Sequence, residues 1–272
     1  MPLADALRIE PLRDGVFSAR LDGFGGVTLG CATLAAARTC EDKALHSLHM
    51  YFLRPVPTEQ PVELAVERLR DGRRFAHRRV QVRAESRLCC ELMASFAATA
   101  GGVDYQEVYV DPAAPQPDDL PSEEEIARVE GWTDDEPGPL GGALEWRWIG
   151  GTPWRTAAPD SHSRYQAWVR PRFPLPPDRG LHAAALAFLC DYHSHMVVAR
   201  KLGSNFEPVG YASLDQALWI HRDAFWDDWW LLTSESDVAH AGRALTRRVV
   251  HSRDGRLTAS MIQEQLIPGA SA

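Results

Sequence analysis

The sequence LHAAALAFLC, at residues 181–190, carries small or apolar side chains on nearly every side of a helix. A second stretch of the same kind, VTLGCATLAAART, occupies residues 27–39. A helix that is apolar all round has no face suited to water, so it belongs inside the protein. The sequence therefore predicts two buried central helices, one in each half of the chain.

Alternating or β-rich runs follow each of these helices. After the first helix, strands are predicted at residues 46–54, 61–69, 75–84 and 88–96; after the second, at residues 211–221, 229–236, 244–252 and 257–267. Asp254-Gly255 favours a tight hairpin turn between the last two strands. A buried helix followed by about four antiparallel strands must be wrapped by the sheet. This arrangement is the hotdog fold, so we predict an α+β double hotdog whose sheets join as a pseudo-dimer.

Matching segments indicate that the two halves are copies of one unit. Arg78-Arg79-Val80 with Arg87-Leu88 recurs, at a constant offset, as Arg247-Arg248-Val249 with Arg256-Leu257. Upstream, Ser47-Leu48 recurs as Ser213-Leu214. The shared order and spacing of these matches favour an internal duplication.

A change of composition separates the two copies. Residues 101–150 are rich in Gly and Pro and contain acidic clusters such as Glu123-Glu124-Glu125, which is typical of a connector. A short helix is predicted at residues 123–129 within it. We therefore predict an N-terminal hotdog unit at residues 1–100, a connector at 101–150 and a C-terminal unit, which carries the site, at 151–272.

Composition narrows the classes of function. The 272 residues carry a formal net charge of -8 and a sequence pI of about 5.7, which argues against nucleic acid as the main partner. No apolar run is long enough to cross a bilayer, and the N-terminus has no basic region followed by an apolar core. We expect a cytoplasmic protein without a membrane partner. The five cysteines, odd in number and with two adjacent, favour reduced structural thiols.

Asp191 is a polar residue on a helix predicted to be buried. It shares a helical face with Ala184, Ala187, Phe188 and Val198, which lie three, four or seven residues away. A carboxylate on such a face is costly unless it has partners. Two explanations stay open, a functional carboxylate and a solvated one in a gap of the sheet.

Gln263 and Ser213 lie on predicted strands. Alternation places Gln263 on the inward face of its strand with Leu257, Ala259 and Met261; it is either a site residue or a hydrogen-bonded core amide. Ser213 begins its strand and is predicted to share a face with Asp215; it is either a site residue or a strand-end residue.

The N-terminal copy serves as an internal control for these candidates. At the offset of the repeat, Gln263 corresponds to Ala94, and the first central helix carries no carboxylate between Asp22 and Glu41. Acid and amide occur together only in the second copy. We therefore predict one site per chain, in the C-terminal unit.

Other common motifs of catalysis and nucleotide binding are absent from the sequence. The sequence contains no GxGxxG, GxxxxGKS/T, GxSxG or HExxH, so nucleotide binding, a hydrolase nucleophile elbow and zincin chemistry lose their usual support. The pairs His46/His49 and His193/His195 lack Cys or carboxylate ligands at matching spacing, so solvated or hydrogen-bonded histidines are favoured over a metal site. No metal and no cofactor are expected.

Several segments of the chain form a recognisable set of motifs: Phe24-Gly25-Gly26, residues 46–55 (HSLHMYFLRP), residues 67–73 (ERLRDGR), Ser213-Leu214-Asp215, residues 229–232 (WWLL), and residues 254–260 (DGRLTAS) with Gln263-Glu264. Taken together, these segments resemble the acyl-CoA thioesterase II family. The resemblance covers most of the chain outside the connector. It implies a double-hotdog enzyme that hydrolyses acyl-CoA thioesters.

The resemblance also implies a site made of an acid on the second central helix, a Thr or Ser on the next strand and a Gln on the last strand. These positions are Asp191, Ser213 and Gln263, which would hold one water for attack on the thioester. Three positions depart from the family's common residues: Val27 replaces Gln, Gln216 replaces His in Leu-Asp-His, and Gln265 replaces Gly in Gln-Glu-Gly.

Two other functions stay open at this point. An acyl-thioester hydratase or dehydratase stays open because a fold alone does not decide the reaction. In such an enzyme His49 or His193 would matter more. A catalytically decayed acyl-CoA or lipid-binding protein would bind acyl-CoA without releasing thiol. Exposed sheet edges also favour a homo-oligomer of double-hotdog chains.

Overall fold

The two predicted central helices are present, and each lies in one half of the fold. The structure is a computed structural model that describes residues 1–58, 60–131, 142–153, 163–202 and 211–267. Its helices are α1 (Leu3–Ala6), α2 (Gly25–Ala37), α3 (Glu123–Glu130), α4 (Arg179–Asp191) and α5 (Met196–Leu202). Nearly every residue of α2 and α4 is buried, as their apolar composition predicts.

Within the described residues, twelve strands form one antiparallel sheet. They are β1 (Glu10–Arg13), β2 (Val16–Ala19), β3 (Ala44–Phe52), β4 (Val62–Asp71), β5 (Phe75–Ala84), β6 (Arg87–Ala97), β7 (Leu144–Ile149), β8 (Arg164–Pro171), β9 (Ala212–Ile220), β10 (Trp230–His240), β11 (Arg243–Ser252) and β12 (Leu257–Leu266). Their order is β1-β2-β4-β5-β6-β3-β9-β12-β11-β10-β8-β7.

This strand order repeats about the middle of the sheet. β3 of the first half pairs with β9 of the second, and outward from that junction β6, β5 and β4 correspond to β12, β11 and β10. The helices α2 and α4 pack on each other and on the strands of their own halves. The predicted double hotdog with its sheets joined as a pseudo-dimer is confirmed.

Close contact between the two central helices depends on small residues. A Cβ atom on Gly30 of α2 would lie 3.1 Å from the carbonyl oxygen of Ala184 in α4. At the other end of the pair, a Cβ on Gly180 would lie 3.0 Å from Cβ of Ala37. The helices are therefore antiparallel, so that α2 begins where α4 ends. This arrangement brings the start of one helix to Asp191.

The eight predicted strands and the short helix α3 are present, whereas β1, β2, β7 and β8 were not predicted. β7 lies inside the segment predicted as connector, where its alternating LEWRWI buries one face. Residues 132–141 of that segment lie outside the described residues, and the division of the chain into units stays a prediction. No helix of the described ranges is long and apolar enough to cross a membrane.

Candidate active site

Asp191 is the last residue of α4 and is almost completely buried, with 5% of its surface exposed. The predicted helical face that includes Ala184, Ala187 and Phe188 is correct, but its extension to Val198 is wrong. The backbone turns to an extended conformation at Tyr192, and Val198 lies on the separate helix α5. The carboxylate therefore lies at the end of α4, where it contacts strands and the start of α2.

Asp191, Ser213 and Gln263 form a closed group of hydrogen bonds. The Ser213 hydroxyl and the Gln263 amide each donate to Asp191 Oδ1 over 2.7 Å. The same Gln263 amide donates to Ser213 Oγ over 2.9 Å. The fold thus brings together all three side chains that the sequence proposed, and Asp191 has the polar partners that a buried carboxylate requires.

A fourth side chain, not proposed from the sequence, belongs to the same group. Gln216 of β9 is fully buried, and its amide donates to Asp191 Oδ1 over 2.7 Å. It lies directly across from Gln263 in the β9–β12 ladder. The only sequence signal was that Gln216 departs from the family's common residue.

A β-bulge explains why Ser213 and Gln216 face the same side. The register of β9 against β12 shifts between Ser213 and Asp215, so that Leu214 is the extra residue. A bulge reverses the alternation of side chains beyond it. The predicted common face of Ser213 and Asp215 is therefore wrong. Asp215 instead bonds His49 Nε2 over 2.9 Å on the outer side of the sheet, where 41% of the His49 side chain is exposed.

The start of α2 closes the site from the other half of the molecule. A Cβ atom on Gly25 would lie 2.7 Å from Asp191 Oδ2, so only glycine leaves room for the carboxylate. The backbone N–H of Gly26 donates to the same carboxylate. The first N–H groups of a helix have no partner within it and carry the positive end of its dipole. The neighbouring N–H groups of Gly25 and Val27 share this position.

Opposing influences set the proton affinity of the site. Burial raises the pKa of the Asp191 carboxyl, and the hydrogen bonds from Ser213, Gln263 and Gly26 together with the charge of Arg248 act against that rise. The result is a carboxyl with a raised pKa that is nevertheless supplied with donors. Such a group is suited to accept a proton in a dry site.

Arg248 fixes the end of the helix that carries Asp191. Its buried guanidinium donates to the carbonyl oxygens of Leu189, Cys190 and Tyr192 over 3.0, 3.4 and 2.6 Å. These carbonyls belong to the last turn of α4, which lacks partners of its own. The sequence singled out Arg248 as part of the repeat only, without this role.

Aromatic rings pack on one side of the site, next to the start of α2. Phe24, which precedes Gly25, packs edge to face on Phe188 and on Tyr192, with centroids 5.6 and 5.8 Å apart. Tyr192 stacks on Trp146 at 5.6 Å. Phe188, Tyr192 and Trp146 are themselves buried, so this side of Asp191 is shielded from solvent. Shielding from solvent strengthens the interactions of charged groups.

The connector helix α3 adds a partly buried acid next to these rings. The indole N–H of Trp148, which stacks on Trp146 at 5.0 Å, donates to Glu123 Oε1 over 3.2 Å. Burial raises the pKa of Glu123 to about 7. Glu123 therefore titrates near neutral pH at the junction of α3 and β7.

Register identifies the equivalent positions in the first half. Leu48 pairs with Ala94 there as Gln216 pairs with Gln263 here, and the bulge that follows Leu45 matches the bulge that follows Ser213. The equivalent of Ser213 is therefore Leu45, which corrects the match to Ser47. Ala37 ends α2 as Asp191 ends α4. All four polar positions of the site are apolar in the first half, and one site per chain stays a prediction.

The histidines flagged in the sequence have other partners. His46 Nε2 bonds Ser95 Oγ over 2.8 Å. His193 packs edge to face on Trp146 and Trp148, and burial places its pKa well below the ordinary value. Burial likewise lowers the pKa of His195 to about 4. None of the hydrogen bonds to Asp191 described above comes from a histidine.

Two family models match most of the chain. The model described as acyl-CoA thioesterase N-terminal domain matches residues 18–97, and the model described as acyl-CoA thioesterase C-terminal domain matches residues 113–267.

Curated proteins and solved structures resemble the chain over nearly its whole length. Acyl-CoA thioesterase 2 of Haemophilus influenzae is 27% identical over 97% of this chain and 96% of its own. The structure of acyl-CoA thioesterase II TesB2 from Mycobacterium marinum is 31% identical with a TM-score of 0.79, covering 99% of both chains. A protein of Alicyclobacillus acidocaldarius with a hot dog fold has a TM-score of 0.81 over 99% of this chain and 98% of its own at 20% identity, which shows the fold alone.

Proposed function

The chain belongs to the acyl-CoA thioesterase family, and from this premise we propose that it hydrolyses an acyl-CoA thioester with a water held by Asp191, Ser213 and Gln263. Because it belongs to this family, the chain is a thioester hydrolase. The observation that carries the assignment of residues is the closed hydrogen-bonded group of Asp191, Ser213 and Gln263, buried against the start of α2. No cofactor enters the proposed reaction.

The first step is attack of water on the thioester carbonyl carbon. Oδ1 of Asp191 already accepts three side-chain hydrogen bonds, so Oδ2 is the oxygen that takes the proton from the water. Ser213 and Gln263 orient the water with respect to the carbonyl. Fixing the two reactants in this geometry lowers the barrier by several kcal/mol, and general base catalysis adds about 10²–10⁴-fold.

The second step is collapse of the tetrahedral intermediate. The new bond joins the water oxygen to the acyl carbon, and the carbon–sulfur bond breaks as the CoA thiolate leaves. Asp191 returns its proton to the thiolate, so that acid and thiol are formed and the carboxylate is restored. The N–H groups of Gly25 and Val27 at the start of α2 are suited to the oxyanion, because dipole and free donors coincide there.

The fold supports a substrate that enters from the junction of the two halves. Donors for the oxyanion come from α2 in the first half, and the general base comes from α4 in the second. Acyl-CoA is the proposed partner. A cytoplasmic location and a homo-oligomer of double-hotdog chains stay predictions.

The decisive experiment measures thiol release with a thiol-reactive dye across short, medium and long acyl-CoAs. We expect release from at least one chain length, with one acid formed per thiol. Hydration of an enoyl-CoA without thiol release would support the hydratase alternative. Tight acyl-CoA binding without either reaction would support a decayed site. Either of these two results would overturn the proposal.

A further inference from the structure

The Gln216 side chain has one polar atom that bonds Asp191 and one that is buried without a partner in the described part of the chain. It is fully buried, its N–H donates to Asp191 Oδ1, and its side-chain oxygen is buried with no hydrogen-bond partner among the described residues. The side-chain oxygen of Gln263 across the ladder is in the same condition. Buried polar atoms are normally paired, because an unpaired one is costly. Two such oxygens beside one carboxylate therefore require an explanation.

The first half shows that the fold itself does not need an amide here. Leu48 occupies the position equivalent to Gln216, and it is buried opposite Ala94 in the same ladder geometry. An apolar side chain thus satisfies packing at this point of a hotdog sheet. The hydrogen bond from Gln216 to Asp191 also has no equivalent in the first half, where Ala37 stands at the position of Asp191.

The geometry of the carboxylate indicates what Gln216 does for it. Ser213 approaches Oδ1 from the bulge of β9, Gln263 from β12, and Gln216 from the far side of the bulge. Three donors from two strands hold one oxygen in a single orientation. The second oxygen then faces Gly25 at the start of α2.

We propose that Gln216 is a positioning residue of this site: with Gln263 it clamps Asp191 Oδ1 through its amide N–H, so that Asp191 Oδ2 presents to the α2 N-terminus. The unpaired oxygens of the two amides are then suited to accept a hydrogen bond from the second O–H of the attacking water, the one whose proton Asp191 does not take. This inference rests on the proposed function for its catalytic meaning. The clamp itself is a property of the folded chain and can be tested without turnover.

The direct test is the titration of Asp191 followed by NMR in protein labelled with ¹³C at the aspartate carboxyl carbon, with Asp191→Asn to assign the signal. In Gln216→Leu the carboxylate loses one of its donors, so we expect its titration midpoint to rise by about one pH unit or more. Leu48 indicates that leucine is compatible with this position. Gln216→His, which restores an N–H donor, should move the midpoint back toward that of the parent.

Gln265 of β12, two residues after Gln263, offers a matched control. It is equally buried, but its amide donates to Thr246 Oγ1 over 2.9 Å and has no contact with Asp191 among its hydrogen bonds. Gln265→Leu should lower stability and leave the Asp191 midpoint within about 0.3 pH unit of the parent. An unchanged midpoint in Gln216→Leu, or equal shifts in both variants, would overturn the inference.

Turnover then connects the clamp with catalysis. If the parent releases thiol, the acid limb of its kcat/KM against pH should move upward in Gln216→Leu by the same amount as the NMR midpoint. A merely structural role would lower activity without moving that limb, and would contradict the inference. If the parent releases no thiol at all while the NMR shift is observed, the proposed function fails and the clamp stands.

Discussion

Gly25 and Asp191 fit together so closely that a single methyl group on Gly25 would lie 2.7 Å from Asp191 Oδ2. Gly25 begins the central helix of the first half, and Asp191 ends the central helix of the second. The carboxylate therefore owes its position to both copies of the repeat. Neither half alone supplies both the carboxylate and the helix start that faces it.

Gly25→Ala is predicted to damage the site with little effect on the fold. The added Cβ must displace the buried carboxylate, and a misplacement of about 1 Å at a reacting group can cost about 10²-fold in rate. We expect thiol release to fall by about 10-fold to 100-fold at saturating acyl-CoA. The measurement is kcat for the variant and for the parent.

Gly101→Ala is the control for this variant, because a Cβ there meets no atom within 4 Å. It should keep the activity of the parent. A Gly25→Ala enzyme as active as Gly101→Ala would show that Asp191 can move without consequence.

Arg248 is predicted to be a main source of stability for the C-terminal half. Arg248→Met leaves the buried carbonyls of Leu189, Cys190 and Tyr192 without their donor, at a cost of about 1–3 kcal/mol for each group left unpaired. We expect the free energy of unfolding to fall by about 2–4 kcal/mol in urea titrations, since part of the cost is relieved by relaxation.

The adjacent Arg247 is a matched control for Arg248. Its side chain is half exposed and pairs with Asp237, so Arg247→Met should cost about 1 kcal/mol or less. Equal losses in the two variants would contradict the role given to the buried guanidinium.

Glu123 is predicted to make stability depend on pH near neutrality. Burial raises its pKa to about 7 in the folded state from 4.5, so the folded state binds more protons than the unfolded state between these values. Its contribution to stability is therefore full below about pH 4.5 and is lost as pH rises toward 7. Glu123→Gln removes this dependence and keeps an acceptor for the Trp148 indole.

We expect Glu123→Gln to be more stable than the parent by about 1–3 kcal/mol at pH 8 and to show no such gain at pH 4. The measurement is urea unfolding of both proteins at the two pH values. Glu125→Gln, at an exposed position of the same helix, should show no gain at pH 8. A difference between Glu123→Gln and the parent that does not change with pH would contradict the prediction.

Pattern in the sequence was sufficient for the central helices and for the eight strands that follow them. Residues 181–190 are apolar all round, and this alone requires a sheet to cover them. The strands β1, β2 and β7 were not predicted, because the first two are only four residues long and β7 lies in a Pro-rich, acidic segment. The strand β8, which pairs with β7, was not predicted either. These strands form the two ends of the sheet, and they pair with strands that the local sequence pattern does not specify.

The site was predictable where a polar residue interrupted an apolar pattern, as at Asp191 and Gln263. It was not predictable where it depends on a bulge. Strict alternation placed Ser213 with Asp215 and gave no role to Gln216, and one extra residue at Leu214 reversed that assignment. The contribution of Gly25 was also hidden, because it follows from the antiparallel packing of two helices far apart in sequence.

Asp191→Asn tests the central claim most directly. Asparagine keeps the shape of the side chain and removes the base, so we predict a fall in kcat/KM for acyl-CoA hydrolysis of about 10²–10⁴-fold. Asp178→Asn is the control at the opposite end of α4, where asparagine caps a helix as well as aspartate does. It should keep the rate of the parent. Thiol release by Asp191→Asn at the rate of the parent would contradict the account.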